Sequence, residues 1–203
     1  MKKVKTLKKF DRYDILRIFF LIGKKGKIAR QKLSKLAEVG EGSIRSILRI
    51  LSNKKLVVTT RKGSELSPKG KKVFRQAVKY FTLPKKIRYD IFKDGLDVYA
   101  SVVKKYEREK IKELYKARDF AIRKGCNSAM VLICNRSGSI KIPYVRKWNF
   151  NVLHEELEVF PNQLVVLASS KTKKITEKGI FSILEYLSEE IAELFRKIAG
   201  TKW

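Results

Sequence analysis

The chain predicts an α+β protein in two domains, a helical domain with a β-hairpin over residues 1–82 and an α+β domain over residues 83–203. Three observations carry that expectation. From Lys27 to Gly70 two short helical patterns flank a Val-Gly break and are followed by a strand, a Lys-Gly turn and a second short strand. Beyond residue 84, strands and helices follow one another without strict alternation, the pattern of an α+β domain with an antiparallel or mixed sheet. Charge divides the halves: residues 1–84 hold 24 Lys and Arg against 5 acids, residues 85–203 hold 24 against 15. With 44% hydrophobic residues, 11 Phe and 8 Tyr, there is ample material for packed cores.

In the first domain, Phe10, Tyr13, Leu16, Ile18, Phe19, Phe20 and Ile22 predict an apolar helix closed at Gly23. Ile28, Leu33, Leu36 and Ala37 mark a second helix, ended by Gly40. Ile44, Ile47, Leu48 and Leu51 follow i, i+3, i+4, i+7 and turn a third helix toward the core. Its other face then carries Ser43, Arg45, Ser46 and Arg49. Arg pairs bidentately with guanine or phosphate, and Ser bonds to either less selectively. Gly40 and Gly42 flank Glu41 where this helix begins and allow a close approach of backbone N–H groups to a phosphate. Leu56 to Thr60 reads as a strand, Arg61-Lys62-Gly63 as a basic turn and Ser64 to Leu66 as the return. Ser67-Pro68 starts a helix that runs to Phe81 before Thr82-Leu83-Pro84 breaks the pattern.

The phrases SIRSILRILSNKKLV and RKGSELSPKGKKVF resemble, respectively, the recognition helix with its exit and the wing with its following helix in winged helix-turn-helix transcriptional regulators. The resemblance covers about 60 residues. It implies double-stranded DNA as partner, with the third helix in the major groove and Arg61 and Lys62 of the wing on the backbone.

In the second domain, Ile87 to Ile91 and Leu96 to Val103 alternate as two strands around an Asp94-Gly95 turn. Glu107 to Lys124 reads as a helix ending at Gly125. Ala129 to Cys134 and Ser139 to Val145 form a hairpin about Asn135-Arg136-Ser137-Gly138, and Leu164 to Ala168 is a buried strand. The Ser169–Thr172 loop caps a helix or cradles an anion. One long helix then spans Thr176 to Ala199, with Ile180, Ile183, Leu184, Leu187, Ile191, Leu194 and Ile198 on one stripe, core or dimer interface. At 100° per residue, Arg118 falls among Ile111, Leu114, Ala121 and Ile122. Either it makes an internal ion pair or snorkels outward, or, with Arg123, it faces a pocket for a small anionic effector. RDFAIRKG, AMVLICNRSGSIKIP and LVVLASS, at residues 118–125, 129–143 and 164–170, are similar to an archaeal family of winged-helix proteins whose C-terminal domain has no assigned role. Residues 146–162 match no pattern.

A net charge of +28 predicts attraction to phosphates. A DNA-binding regulator, cytoplasmic and homodimeric, is the expectation; an RNA-binding or RNA-processing accessory protein would use the same charge. Ile15 to Ile22 is too short for a membrane span, and the basic N-terminus has no apolar core behind it, so neither membrane nor signal peptide is expected. Cys126 and Cys134 lack CxxC spacing and read as buried apolar residues. Lone His154 beside Glu155 and Glu156 has no nucleophile motif, so catalysis, metal and cofactor are not expected.

Overall fold

The computed structural model describes residues 10–143, 145 and 148–200. The basic stretch 1–9, where no signal peptide is expected, lies outside the described residues. The molecule is α+β, and its chain divides into two compact units. One runs to Lys72 and resumes at Arg196; the other spans Val73–Phe195.

The first unit opens on α1 (Arg12–Lys25). The Asp11 carboxylate accepts from the Asp14 N–H and the Asp14 carboxylate from the Asp11 N–H, both at 3.1 Å, which satisfies two donors that the first turn leaves open. The end predicted at Gly23 is corrected. The helix continues to Lys25 and closes on Gly26, at φ 72°, whose N–H reaches the Ile22 carbonyl at 2.8 Å. The positive φ that stops a helix falls at Gly26 and not at Gly23. Next come α2 (Arg30–Ala37) and α3 (Glu41–Asn53), joined through Glu38 at φ 53°, Val39 and Gly40. Ile15, Ile18, Phe19, Ile22, Leu33, Ile44, Ile47 and Leu51 are fully buried, each worth about 1.5–3 kcal/mol. Arg17, also buried, lies 3.4 Å from Asp14 and donates from Nη1 to the Ala37 carbonyl at 2.8 Å, which ties α1 to the end of α2.

A hairpin of β1 (Val57–Thr60) and β2 (Gly63–Leu66) follows, with Thr60 opposite Gly63. Ile28 bridges to β2: its N–H and carbonyl each pair with Ser64 at 2.9 Å. Gly63 has φ 126°, and a Cβ there would lie 2.8 Å from the Ile28 carbonyl, so no side chain fits. Ser67 starts α4 (Pro68–Tyr80) by accepting from the Gly70 N–H at 3.0 Å.

The second unit is built on a five-stranded, wholly antiparallel sheet in the order β3-β4-β7-β5-β6. The strands are β3 (Lys85–Lys86), β4 (Val98–Val103), β5 (Ser128–Cys134), β6 (Ile140–Lys141) and β7 (Leu164–Ser169). Central β7 is buried throughout. One face packs Val98, Ala100, Leu132, Val165 and Leu167 with Phe150, Leu153 and Leu157. Helices α5 (Leu114–Ile122) and α6 (Lys173–Leu187) pack on β5 and β7. Phe81, Phe181 and Phe195 meet edge to face at 5.6–6.4 Å.

Four predicted elements change. No strand forms over Ile87 to Ile91: β3 lies just before it, and the Asp90 carboxylate accepts from the Asp94 and Gly95 N–H groups at 3.3 and 3.0 Å and curls the chain into a turn. The helix expected from Glu107 is a 3-10 helix over Arg108–Glu113 before α5 begins. The strand expected to reach Val145 ends at Lys141. Two residues further along the same register, Pro143 would stand opposite Val131 with no N–H to give. The single long helix expected from Thr176 to Ala199 is two, α6 and α7 (Glu189–Ala199). They break at extended Ser188, whose hydroxyl accepts from the Ile191 N–H at 3.4 Å and opens a new helix. Every residue of the apolar stripe from Ile180 to Ile198 is buried inside the chain, so it is core and presents no dimer surface. The Ser169–Thr172 loop caps α6: Thr172 Oγ1 accepts from the Ile175 N–H, and the Ser170 hydroxyl donates to the Thr172 carbonyl.

Candidate nucleic-acid interface

The apolar stripe of α3 fixes its phase. With Ile44, Ile47, Leu48 and Leu51 buried, Arg45 and Arg49 are exposed one turn apart on the outer face. The Ile28 bridge holds the hairpin beside that face, and between them lies a groove of about 540 Å³. Four arginines line it: Arg45 and Arg49 from α3, Arg30 from the start of α2 and Arg61 from the hairpin turn. Thr59, Thr60 and Ser52 add hydroxyls. The Arg30 Nε lies 3.4 Å from Glu41, an exposed pair that costs little to exchange for a phosphate. No side chain caps α2 or α3, whose first N–H groups are open to an anion.

The remaining expected residues fall differently. Lys62 is exposed at the hairpin turn, outside the lining of the groove, and its N–H is bound to the Thr60 hydroxyl at 3.2 Å. Ser43 is half-buried. Ser46 spends its hydroxyl on the Gly42 carbonyl of its own helix at 3.2 Å. Arg30, Thr59 and Thr60 join the groove although no motif in the sequence marks them as contact residues. Only the Ile28–Ser64 register brings Arg30 opposite α3, and spacing carries no trace of that pairing.

Arg118 is corrected. It is exposed and does not sit within an apolar stripe. Ile111 belongs to the 3-10 helix, where the 100° step does not apply, and Ile122, on the far side of Arg118 from Leu114, is itself 37% exposed. The buried positions of α5 are Leu114, Ala117 and Ala121. Arg118 lines the mouth of a largely apolar cavity of about 440 Å³, whereas Arg123 lies over the Phe120 ring at 6.0 Å and does not line it.

Cys126 and Cys134 are free and buried, and burial pushes the Cys126 thiol up to about 12. His154 Nε2 lies 2.8 Å from the Gly138 carbonyl. Tyr89 donates to Glu155, and the Arg88 N–H donates to Glu156 at 2.7 Å, so these carboxylates anchor the chain after β3. Among the described residues no group of three His, Cys, Asp or Glu could hold a metal ion, and no helix is long and apolar enough to cross a membrane.

Residues 12–72, which carry the groove, match the family model described as PH0730-like, N-terminal domain. A solved structure, the hypothetical protein PH0730 from Pyrococcus horikoshii OT3, is similar over 92% of this chain and 100% of that one, with 25% identity and a TM-score of 0.73. Both likenesses fit an archaeal family. No curated protein matches.

Proposed function

We propose that the first unit is a winged helix-turn-helix that binds duplex DNA, and that the protein is a transcriptional regulator. The observation that carries this reading is the convergence of Arg30, Arg45, Arg49 and Arg61 on one groove between α3 and the hairpin. In this reading α3 enters the major groove and the β1–β2 turn, with Arg61 and Lys62, rides the adjoining backbone. One such module reads one half-site, so the protein binds as a homodimer at two.

Fluorescence anisotropy on a pool of genomic duplexes tests the reading. Affinity should fall steeply with salt, by about 0.9 in the log–log slope per phosphate neutralised. Arg45→Ala and Arg49→Ala should each cost about 1–3 kcal/mol where the guanidinium meets a base, or lower the salt slope by about 1 where it meets phosphate. Absent affinity at low salt, or an unchanged double variant, sinks the proposal. Preference for duplex or single-stranded RNA at matched salt would instead establish an RNA-binding accessory role.

A further inference from the structure

The sheet of the second unit ends unequally on its two sides. Beyond β4, the Thr82 N–H donates to the Val102 carbonyl at 2.9 Å and Thr82 Oγ1 accepts from the Val102 N–H at 2.8 Å, so that margin is sealed. Beyond β5 it is open. The Cys134 N–H bonds to Gln163 beside β7, so Cys134, Leu132, Met130 and Ser128 turn their backbone groups toward β7. Ile133, Val131 and Ala129 therefore turn theirs outward. Ile133 pairs with Lys141 of β6. Past that point Pro143 cannot donate, and the chain turns away with the Val145 N–H on the Ile142 carbonyl at 3.3 Å. Among the described residues, the outward N–H and C=O of Ala129 and Val131 meet no strand.

These two residues stand in the wall of the 440 Å³ cavity. Phe92, Leu114, Met130 and Ile142 make it apolar. Lys112 and Arg118, both exposed, stand on its helical rim, and no described residue forms an ion pair with either. Asp94 accepts from the Ser169 hydroxyl at 2.6 Å and from the Leu96 N–H at 3.1 Å, so its charge is already engaged.

We propose that this edge is a peptide-binding site, at which an extended segment of a partner protein adds to β5 as a further strand. Alternating backbone donors and acceptors on Ala129 and Val131 match a strand and not a single anion. The open length of β5 receives about four residues at ~3.3 Å each. Apolar side chains of the segment enter the cavity, and acidic ones meet Lys112 and Arg118. The site is independent of the DNA-binding reading.

Panning a phage-displayed random peptide library on the full chain, without nucleic acid, tests it. The enriched peptides should alternate apolar with acidic residues, and a synthetic copy should outbind its scrambled version. Methylating alternate backbone nitrogens of that peptide should weaken binding about ten-fold or more. Arg118→Glu, an exposed change, should weaken acidic peptides similarly and enrich basic ones on re-panning. Ala129→Pro, which removes an outward donor, should abolish binding with the fold checked by circular dichroism. Failure to enrich, equal binding of the scrambled peptide, or indifference to both N-methylation and Arg118→Glu overturns the proposal.

Discussion

Asp14 and Arg17 show how one residue's surroundings decide its effect. Arg17 is 3% exposed and Asp14 0%. Removing the guanidinium leaves a carboxylate inside the first unit, so Arg17→Ala should cost about 3–5 kcal/mol in urea unfolding. Asp14→Asn in that background should recover part of the loss. Asp94 gives a pH-dependent prediction. Burial works to raise its carboxyl, but donation from the Ser169 hydroxyl, the Leu96 N–H and the Ser128 hydroxyl brings it below the ordinary aspartate value. A depressed folded value means that its stabilisation is complete above the unfolded value of about 3.9 and is lost as pH falls through the folded one. Asp94→Asn should lower the Tm at pH 7, and the gap should close in acid; a gap constant with pH would refute the assignment. Such detail was partly legible in the sequence. Arg45 and Arg49 followed from the α3 stripe, because a regular helix preserves phase. Arg118 lies off the buried stripe because Ala117, and not Ile122, completes it, and spacing alone does not say which of two apolar residues is covered.

Between elements, α6 lies close against the end of α5 and the turn that follows it. A Cβ at Gly179 would stand 2.2 Å from the Cys126 Sγ and 3.1 Å from the Ala121 Cβ. Gly179→Ala would gain about 1 kcal/mol of helix propensity. The clash should nevertheless win, for a net loss of about 1–3 kcal/mol on thermal denaturation. Cys126→Ala removes the nearer atom, so the double variant should recover stability relative to Gly179→Ala; additive losses would show that the contact is not the cause. The same packing shields the Cys126 thiol, and alkylation at pH 8 should proceed only on unfolding. Sequence pattern found α1 to α4, β1, β2, β5 and β7 in place, since each carries its own periodicity. It failed where side chains act on backbone: Asp90 curling a strand, Ser188 cutting a helix, Pro143 ending β6.

At the scale of the molecule, the proposed homodimer should be seen by light scattering with duplex DNA at micromolar protein; a strict monomer there removes that part of the reading. The helical stripe that once suited a dimer is spent on the core, a contact that no count of apolar residues distinguishes from an interface. The open margin of β5 has a colloidal consequence as well. Unsealed strands template their own kind, and a second copy of β5 is as good a strand as any. A net charge of +28 keeps copies apart while their fields reach one another, over about 10 Å in 0.1 M salt but only ~3 Å at 1 M. Turbidity should therefore climb with sodium chloride, opposite to a protein held together by ion pairs. Replacing Arg118 with Val should bring its onset to lower salt, and Ala129→Pro should delay it. The strand that waits for a partner is also the limit on how concentrated this protein can be kept.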